Sequence, residues 1–379
     1  MSPHAGRMER SRPVIGCASV STGVSAAGPA AFHAGLRSGI KGLDPGYFAL
    51  VMATGIVSVA VGAAGAPTLS AALLGLAIGC YLVLVAAHGW RLSRWRPEFA
   101  ADATDPANAF AFFTFAAASA VLAAQLAAEG HHAWAIALLA AAVLAWLVLS
   151  YGLPLRLVTR HGTRPALAGV NGTWFLWTVG TQSIAVAVTA FPPALAGTLA
   201  PAALGLWAVG VVLYLLISGL VLACLLQFPA EPARLSPAYW VFMGATAISV
   251  LAGARILGLP ASPLQAAVHP VVAGLSVILW AFGTWLIPIL IGLGVWRHLV
   301  RGVRLWYEPS LWSLVFPLGM YCVASRALGM ALNVHWLVTA GHDGTWIAFG
   351  VWALVFTAML TSLARSPRRL KKTGGAASG

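Results

Sequence analysis

The chain alternates between long apolar runs and short polar breaks, with runs at roughly 46–64, 68–90, 107–128, 134–153, 172–190, 198–226, 238–257, 264–296, 310–332 and 345–364. A bilayer core about 30 Å thick takes about 20 apolar residues per helix, so each run predicts one transmembrane span. Together they predict an all-α integral membrane protein of ten helices. The eighth run is too long for one straight crossing. It is expected to tilt, to bend at Pro270 or Pro288, or to project beyond the bilayer. The period-2 alternation of a transmembrane β-barrel is absent.

Charge fixes the orientation of these spans. Of the 22 Lys and Arg, twenty fall before the first run or after an even-numbered one. They are Arg7, Arg10, Arg12, Arg37 and Lys41; Arg91, Arg94 and Arg96; Arg156, Arg160 and Arg164; Arg234; Arg297, Arg301 and Arg304; and Arg365, Arg368, Arg369, Lys371 and Lys372. The loops between, near 65–67, 129–133, 191–196, 258–263 and 333–344, carry none. Positive charge stays cytoplasmic during insertion, so both termini are expected inside, in the inner membrane of a bacterial cell.

Composition sharpens this picture. The 379 residues are 60% hydrophobic and 8% charged, a ratio foreign to soluble domains. The formal net charge of +13 sits on loops beside anionic lipid and does not indicate a nucleic-acid partner. Residues 1–43 read as a disordered cytoplasmic tail, 44–365 as the membrane domain and 366–379 as a short basic tail. The run Val14-Ile15-Gly16-Cys17 resembles a lipoprotein cleavage box but lacks a hydrophobic region before it. Four scattered cysteines give neither a disulfide framework nor a CxxC pair.

The odd-numbered runs resemble one another. Four open on a capping residue and a proline: Asp44-Pro45, Asp105-Pro106, Ser236-Pro237 and Glu308-Pro309; the fifth run opens at Asn171-Gly172. Asp, Ser and Asn accept a bond from a free helix-start N–H, and proline has none to leave unpaired. An aromatic follows in each (Tyr47, Phe110, Trp174, Trp240, Trp312). About seven residues later comes a small-residue patch: Thr54-Gly55, Ala117-Ala118, Gly180-Thr181, Thr246-Ala247 and Gly319. Five helical hairpins follow from this register, each with an odd helix inside and an even helix outside. Five similar helices around one axis leave a pore. Their amino ends, each carrying about +0.5 of partial charge, would favour anions if they converge at the cytoplasmic mouth.

All nine acids (Glu9, Asp44, Glu98, Asp102, Asp105, Glu129, Glu231, Glu308, Asp343) can be placed outside the membrane. That argues against a proton-coupled pump, because proton relays use buried carboxylates. The two cations left at membrane depth are Arg255 and Arg326, about 27 and 25 Å beyond their helix-start prolines at 1.5 Å per residue. Each either faces the pore or snorkels to the outer interface; Arg326 has the further option of pairing with Asp343. Gln182, beside Thr181, either hydrogen-bonds a passing oxyanion or bonds across helices. His131, His132, His335 and His342 fall in outer loops, and His269 is the one deep histidine. That pattern supports neither a metal nor a haem site, and without a deep acid to orient a base no catalytic pair is indicated. A membrane-embedded redox or enzyme subunit is the competing class. No cofactor is expected.

The ninth run contains Trp312-Ser313-Leu314-Val315-Phe316-Pro317-Leu318-Gly319-Met320-Tyr321. It is similar to the WSxxFPxG signature of the tellurite-resistance/dicarboxylate transporter family, which includes fungal malate transporters, sulfite pumps and plant slow-type anion channels. Residues 44–58, with Met52-Ala53-Thr54-Gly55-Ile56-Val57-Ser58 at their centre, resemble the first helix of its malate branch. The resemblance covers about 45–364. It implies five hairpins around a pore, a homotrimer with one pore per protomer, and a gate at Phe316, the aromatic before the ninth-helix proline. Pro317 removes a helix hydrogen bond, and the resulting kink would aim that aromatic at the axis. The resemblance also implies small anions as substrates: C4-dicarboxylates such as malate, with sulfite, tellurite-type oxyanions, chloride and nitrate as alternatives. Pore-lining candidates are Thr54, Gly55, Gly180, Thr181, Gln182, Thr246, Gly319, Arg255 and Arg326.

Overall fold

The computed structural model describes residues 37–159, 166–228, 235–260 and 262–373. Ile40–Gly379 forms one unit; the other, Met1–Gly39, lies almost wholly outside the described residues. The expected N-terminal tail and the lipoprotein-like Cys17 therefore fall mostly outside them, as does the end of the C-terminal tail. At the near edge of the N-terminal tail, Ile40 is buried and Lys41 pairs with Glu98 at 3.1 Å.

The helices are α1 (Ala49–Ala63), α2 (Pro67–Arg94), α3 (Arg96–Thr104), α4 (Phe113–Ala128), α5 (His132–Val158), α6 (Phe175–Val188), α7 (Pro193–Gln227), α8 (Val241–Leu257), α9 (Pro263–Val295), α10 (Trp312–Ala331) and α11 (His335–Thr373). Among the described residues, nine helical segments are long and apolar enough to cross a membrane. The remaining predicted span is α6 with the three-residue 3-10 turn before it, Gly172–Trp174. Together these reach roughly 27 Å, nearly a bilayer core. The chain is an all-α, multi-pass membrane protein.

Burial divides the helices into two sets. The spans containing α1, α4, α8 and α10 have 72, 83, 78 and 61% of their core window buried, against 17–33% for α2, α5, α7, α9 and α11. Every residue of α6 from Val179 to Ala185 is buried. The five inner helices are thus α1, α4, α6, α8 and α10. They pack side by side in a closed circuit, α1 to α4 to α6 to α8 to α10 and back to α1. Each pairs with the outer helix that follows it in sequence. The polypeptide turns sharply between them: Gly65 and Gly130 adopt φ of +91° and +85°, and the backbone N–H of Ala66 and His131 reaches back to Val61 and Leu126. A side chain at either glycine would be strained in this left-handed cap. Between α10 and α11, Asn333 (φ 57°) plays the same part.

The helices extend beyond several of the predicted runs. The predicted loop 333–344 is reduced to a short turn ending at Val334, because α11 starts at His335 and takes His342 and Asp343 into the helix. Four polar side chains in its first turns, His335, Thr339, His342 and Asp343, lower the hydropathy without breaking the helix. The segment from Ser366 stays helical to Thr373. A short helix, α3, follows α2 and is anchored by Arg91, which is 3% exposed and donates to Asp102 at 2.6 Å and to the Lys41 carbonyl at 3.0 Å. The long α9 runs unbroken through Pro270 and Pro288 and ends in a π-helical turn, Trp296–Val300.

Candidate anion conduit

Each inner helix starts with a turn of 3-10 helix: Pro45–Phe48, Ala109–Phe112, Gly172–Trp174, Pro237–Trp240 and Pro309–Leu311. These five turns touch in a closed ring of their own, so the amino ends of the inner helices converge. Side chains stitch the ring together. The Thr114 hydroxyl donates to the Pro45 carbonyl at 2.9 Å, Asn171 Nδ2 to Ala107 at 3.0 Å, and Trp174 Nε1 to Pro106 at 2.8 Å. Phe110 lies 4.4 Å from Trp174, and Phe175 stacks on Phe242 at 4.5 Å. A Cβ on Gly172 would collide with the Ala238 carbonyl, which explains why that turn opens on Asn-Gly in place of X-Pro.

The caps alter the electrostatics expected of this ring. Asp44 accepts from the N–H of Gly46 at 2.7 Å and Asp105 from that of Ala107 at 3.1 Å; Asn171 accepts from Thr173 at 2.8 Å. Five helix ends contribute about +2.5 of partial charge in all. Asp44, Asp105 and Glu308 offset it, so the mouth is not strongly positive by itself.

Glycines bring the inner helices together. A Cβ on Gly55 would meet Val121 of α4 at 2.8 Å, one on Gly180 would meet Phe113 of α4 at 3.0 Å, one on Gly244 would meet Pro317 of α10 at 2.8 Å, and one on Gly319 would meet Ile56 of α1 at 3.0 Å. Gly55, Gly180 and Gly319 therefore serve inner–inner contacts.

A second repeat, unseen in the sequence, closes the outer seams. Each outer helix sends one aromatic to the next inner helix. Tyr81 OH bonds Ser119 at 2.8 Å, Trp146 Nε1 donates to Thr181 at 2.8 Å, Trp207 to the Ser249 carbonyl at 2.9 Å, Trp280 to Ser325 at 2.8 Å and Trp352 to Thr54 at 3.1 Å. The last of these joins α11 back to α1 and completes the circle. Thr54 and Thr181 thus sit on outer seams. So does Gln182, which donates to the Trp207 carbonyl at 3.1 Å, and so does Thr246, which packs on Gly283 of α9.

The face each inner helix turns to the common axis follows once its other faces are assigned, at 100° per residue. On α10, Pro317 meets α8, Gly319 meets α1, Tyr321 and Ser325 meet α9, and Cys322 and Gly329 meet α11. Phe316 and Val323, seven apart, make none of these contacts and share the arc between the α1 and α8 sides with Met320; Phe316 is 1% exposed. On α8, Gly244 meets α10, Thr246 and Gly253 meet α9, and Phe242 meets α6 and α7. Ile248 and Arg255 remain. Arg255 is exposed although its neighbours from Leu251 to Ile256 are buried. On α6, Trp177 and Thr181 meet α5, Gln182 meets α7, Gly180 meets α4 and Phe175 meets α8. Val179 and Ser183 remain, and the buried Ser183 hydroxyl has no hydrogen-bond partner. By the same reasoning α1 offers Met52 and Val59, and α4 offers Ala117 and Ala124. Arg326 is different: its Cβ lies against Gly341 of α11, toward the outer layer. Among the described residues, no carboxylate lies within ion-pairing distance of Arg255 or Arg326. Nor do three or more His, Cys, Asp or Glu side chains group as a metal site there.

The voltage-dependent anion channel family model matches residues 42–360, nearly the whole helical bundle, and the chain belongs to that family. An uncharacterized membrane protein of Mycobacterium tuberculosis is 49% identical over 152 residues, 40% of this chain and 77% of that one. An uncharacterized transporter of Methanocaldococcus jannaschii is 25% identical over 328 residues, 83% of this chain and 92% of that one. A second transporter from the same archaeon is 25% identical over 189 residues, 48% of this chain and 53% of its own length. Membership in this family makes the chain a membrane protein for anion transport.

Proposed function

We propose that anions cross along the axis of the five inner helices and that Phe316 closes this path. The observation that carries the reading is the closed circuit of inner helices with converging amino ends; the burial of Phe316 and its place on the α10 wheel support the plug assignment. Phe316 lies roughly 12 Å beyond the start of its 3-10 turn, in the first half of the membrane. Pro317 leaves the Ser313 carbonyl without its usual backbone donor, which loosens α10 where the aromatic must move. A buried apolar plug stops an ion because the ion cannot shed its water there.

Beyond the plug the axis is lined by Val59, Ala117, Val179, Ile248 and Val323, with Ser183 and Arg255 as its polar groups. The Ser183 hydroxyl supplies a hydrogen bond to a passing anion, and Arg255 supplies the unpaired positive charge. The substrate class is a C4-dicarboxylate such as malate, supported by the likeness of 44–58 to the malate branch. The Lys and Arg distribution supports cytoplasmic termini and an inner-membrane location, and the family resemblance supports a homotrimer. Purified protein in liposomes, offered malate, sulfite, chloride or nitrate with and without a pH gradient, tests substrate and coupling together. Malate flux at least tenfold above protein-free liposomes and independent of the pH gradient is expected. Flux of sulfite or chloride alone would replace the substrate assignment, and flux that needs the pH gradient would replace the channel mechanism.

A further inference from the structure

Between α9 and α10 the chain makes a cationic hairpin at the rim of the ring of amino ends. The π-helical turn Trp296–Val300 carries Arg297 and His298, and Arg304 follows before Glu308 caps the next inner helix. Arg297, His298, Arg304 and Glu308 line one cavity of about 170 Å³. Arg297 is 8% exposed, yet its Nε–H has no hydrogen-bond partner. Its two terminal nitrogens both lean on a single oxygen of Glu308, at 3.4 Å each. A guanidinium is a planar fork that suits two oxygens held side by side, and a buried N–H left unpaired is costly. The Glu308 pairing is long, engages one oxygen only and leaves the Nε–H side of the fork free. Arg301 is engaged elsewhere, over the Trp296 ring at 5.4 Å. His298 Nδ1 is within 2.8 Å of the Val303 carbonyl, which fixes its ring beside the cavity. π-helical turns are rare and are frequently found at functional sites.

We infer that this cavity is a binding site for a small oxyanion, a carboxylate or phosphate, held by the Arg297 fork with Arg304 closing over it. The anion takes the free Nε–H and competes with Glu308 for the rest of the guanidinium. Because Glu308 and Leu311 border both the cavity and the ring, a bound anion waits beside the conduit entrance. That staging role rests on the conduction reading above; the binding itself does not.

Calorimetric titration of the full-length protein in detergent tests the inference, with inorganic phosphate and malate as probes and chloride as a spherical control. Saturable binding of either oxyanion is expected, at least tenfold tighter than chloride. Arg304→Gln, at an exposed position, and Arg297→Lys, which keeps the charge but loses the fork, should each weaken binding at least tenfold. Glu308→Gln should tighten it several-fold by removing the internal competitor. Native mass spectrometry after reconstitution with phosphatidylglycerol or phosphatidylcholine separates a lipid phosphate from a free one. Retention of the anionic lipid by wild type but not by Arg304→Gln, without binding of free phosphate, assigns the same fork to a headgroup. Absence of both free-oxyanion and anionic-lipid binding, or affinities unchanged in both arginine variants, overturns the inference. Oxyanion binding in a protein that passes no anions would instead overturn the conduction reading and leave the site standing.

Discussion

Replacing Phe316 with alanine tests the conduit most directly. In the shut arrangement its ring is 1% exposed. Burying a phenylalanine side chain stabilises that arrangement by about 2–3 kcal/mol relative to one in which the ring swings into a wetted lumen. Deleting the ring removes that preference, so the ratio of open to shut protein should rise roughly 30- to 140-fold. The same deletion costs folding stability, on the order of 3–5 kcal/mol for a fully buried phenyl. A conductance gain must therefore be read on protein that elutes as one species by size exclusion. Phe316→Leu keeps an apolar plug of smaller volume and should fall between wild type and the alanine variant. Anion current in planar bilayers is the assay. A well-folded alanine variant whose open probability stays within twofold of wild type refutes the gate and the arithmetic behind it.

Arg255→Gln should reduce anion-over-cation selectivity, read as a shift of the reversal potential toward zero in a salt gradient, whereas Arg326→Gln should leave it unchanged. Thr54→Val removes the acceptor of Trp352 Nε1 and should lower stability by about 1 kcal/mol, measured as thermal unfolding in detergent. Arg91→Met strips the buried partner from Asp102 and should release α3, costing roughly 3 kcal/mol and exposing Arg96–Thr104 to protease. Burial raises the Tyr307 hydroxyl from 10.0 to about 12, so its neutral form is the one the fold favours. That contribution is complete below pH 10 and lost as pH climbs toward about 12; Tyr307→Phe should flatten the alkaline fall in melting temperature over that window.

The spans were legible because membrane helices must be apolar along nearly their whole length, and the fivefold register because capping chemistry repeats where helices begin alike. Which side chains face the axis was not legible. A polar residue in a membrane helix has two solutions, water or a partner, and sequence does not distinguish them. Thr54 found Trp352, 298 residues away, and Thr181 found Trp146. Ser183, one place from the more conspicuous Gln182, is buried with no hydrogen-bond partner, and the conduction reading puts it on the axis. Its signal was the wheel: with Trp177 and Thr181 on one side of α6, the opposite side belongs to Val179 and Ser183. Helix α3 escaped notice because a charged nine-residue segment carries no hydropathy, and its anchor, Arg91, reads in sequence as one more loop cation. The Arg297 cavity was hidden for the same reason.

The bond from Trp352 to Thr54 has a consequence for how the molecule is made. A ribosome delivers the first helix of the barrel early and the last one at the end, so the first stave stands with one flank bare throughout synthesis. Only when the final hoop arrives can the vessel become watertight. Chains stopped short of that residue would lack the contact that closes the circle between the last helix and the first.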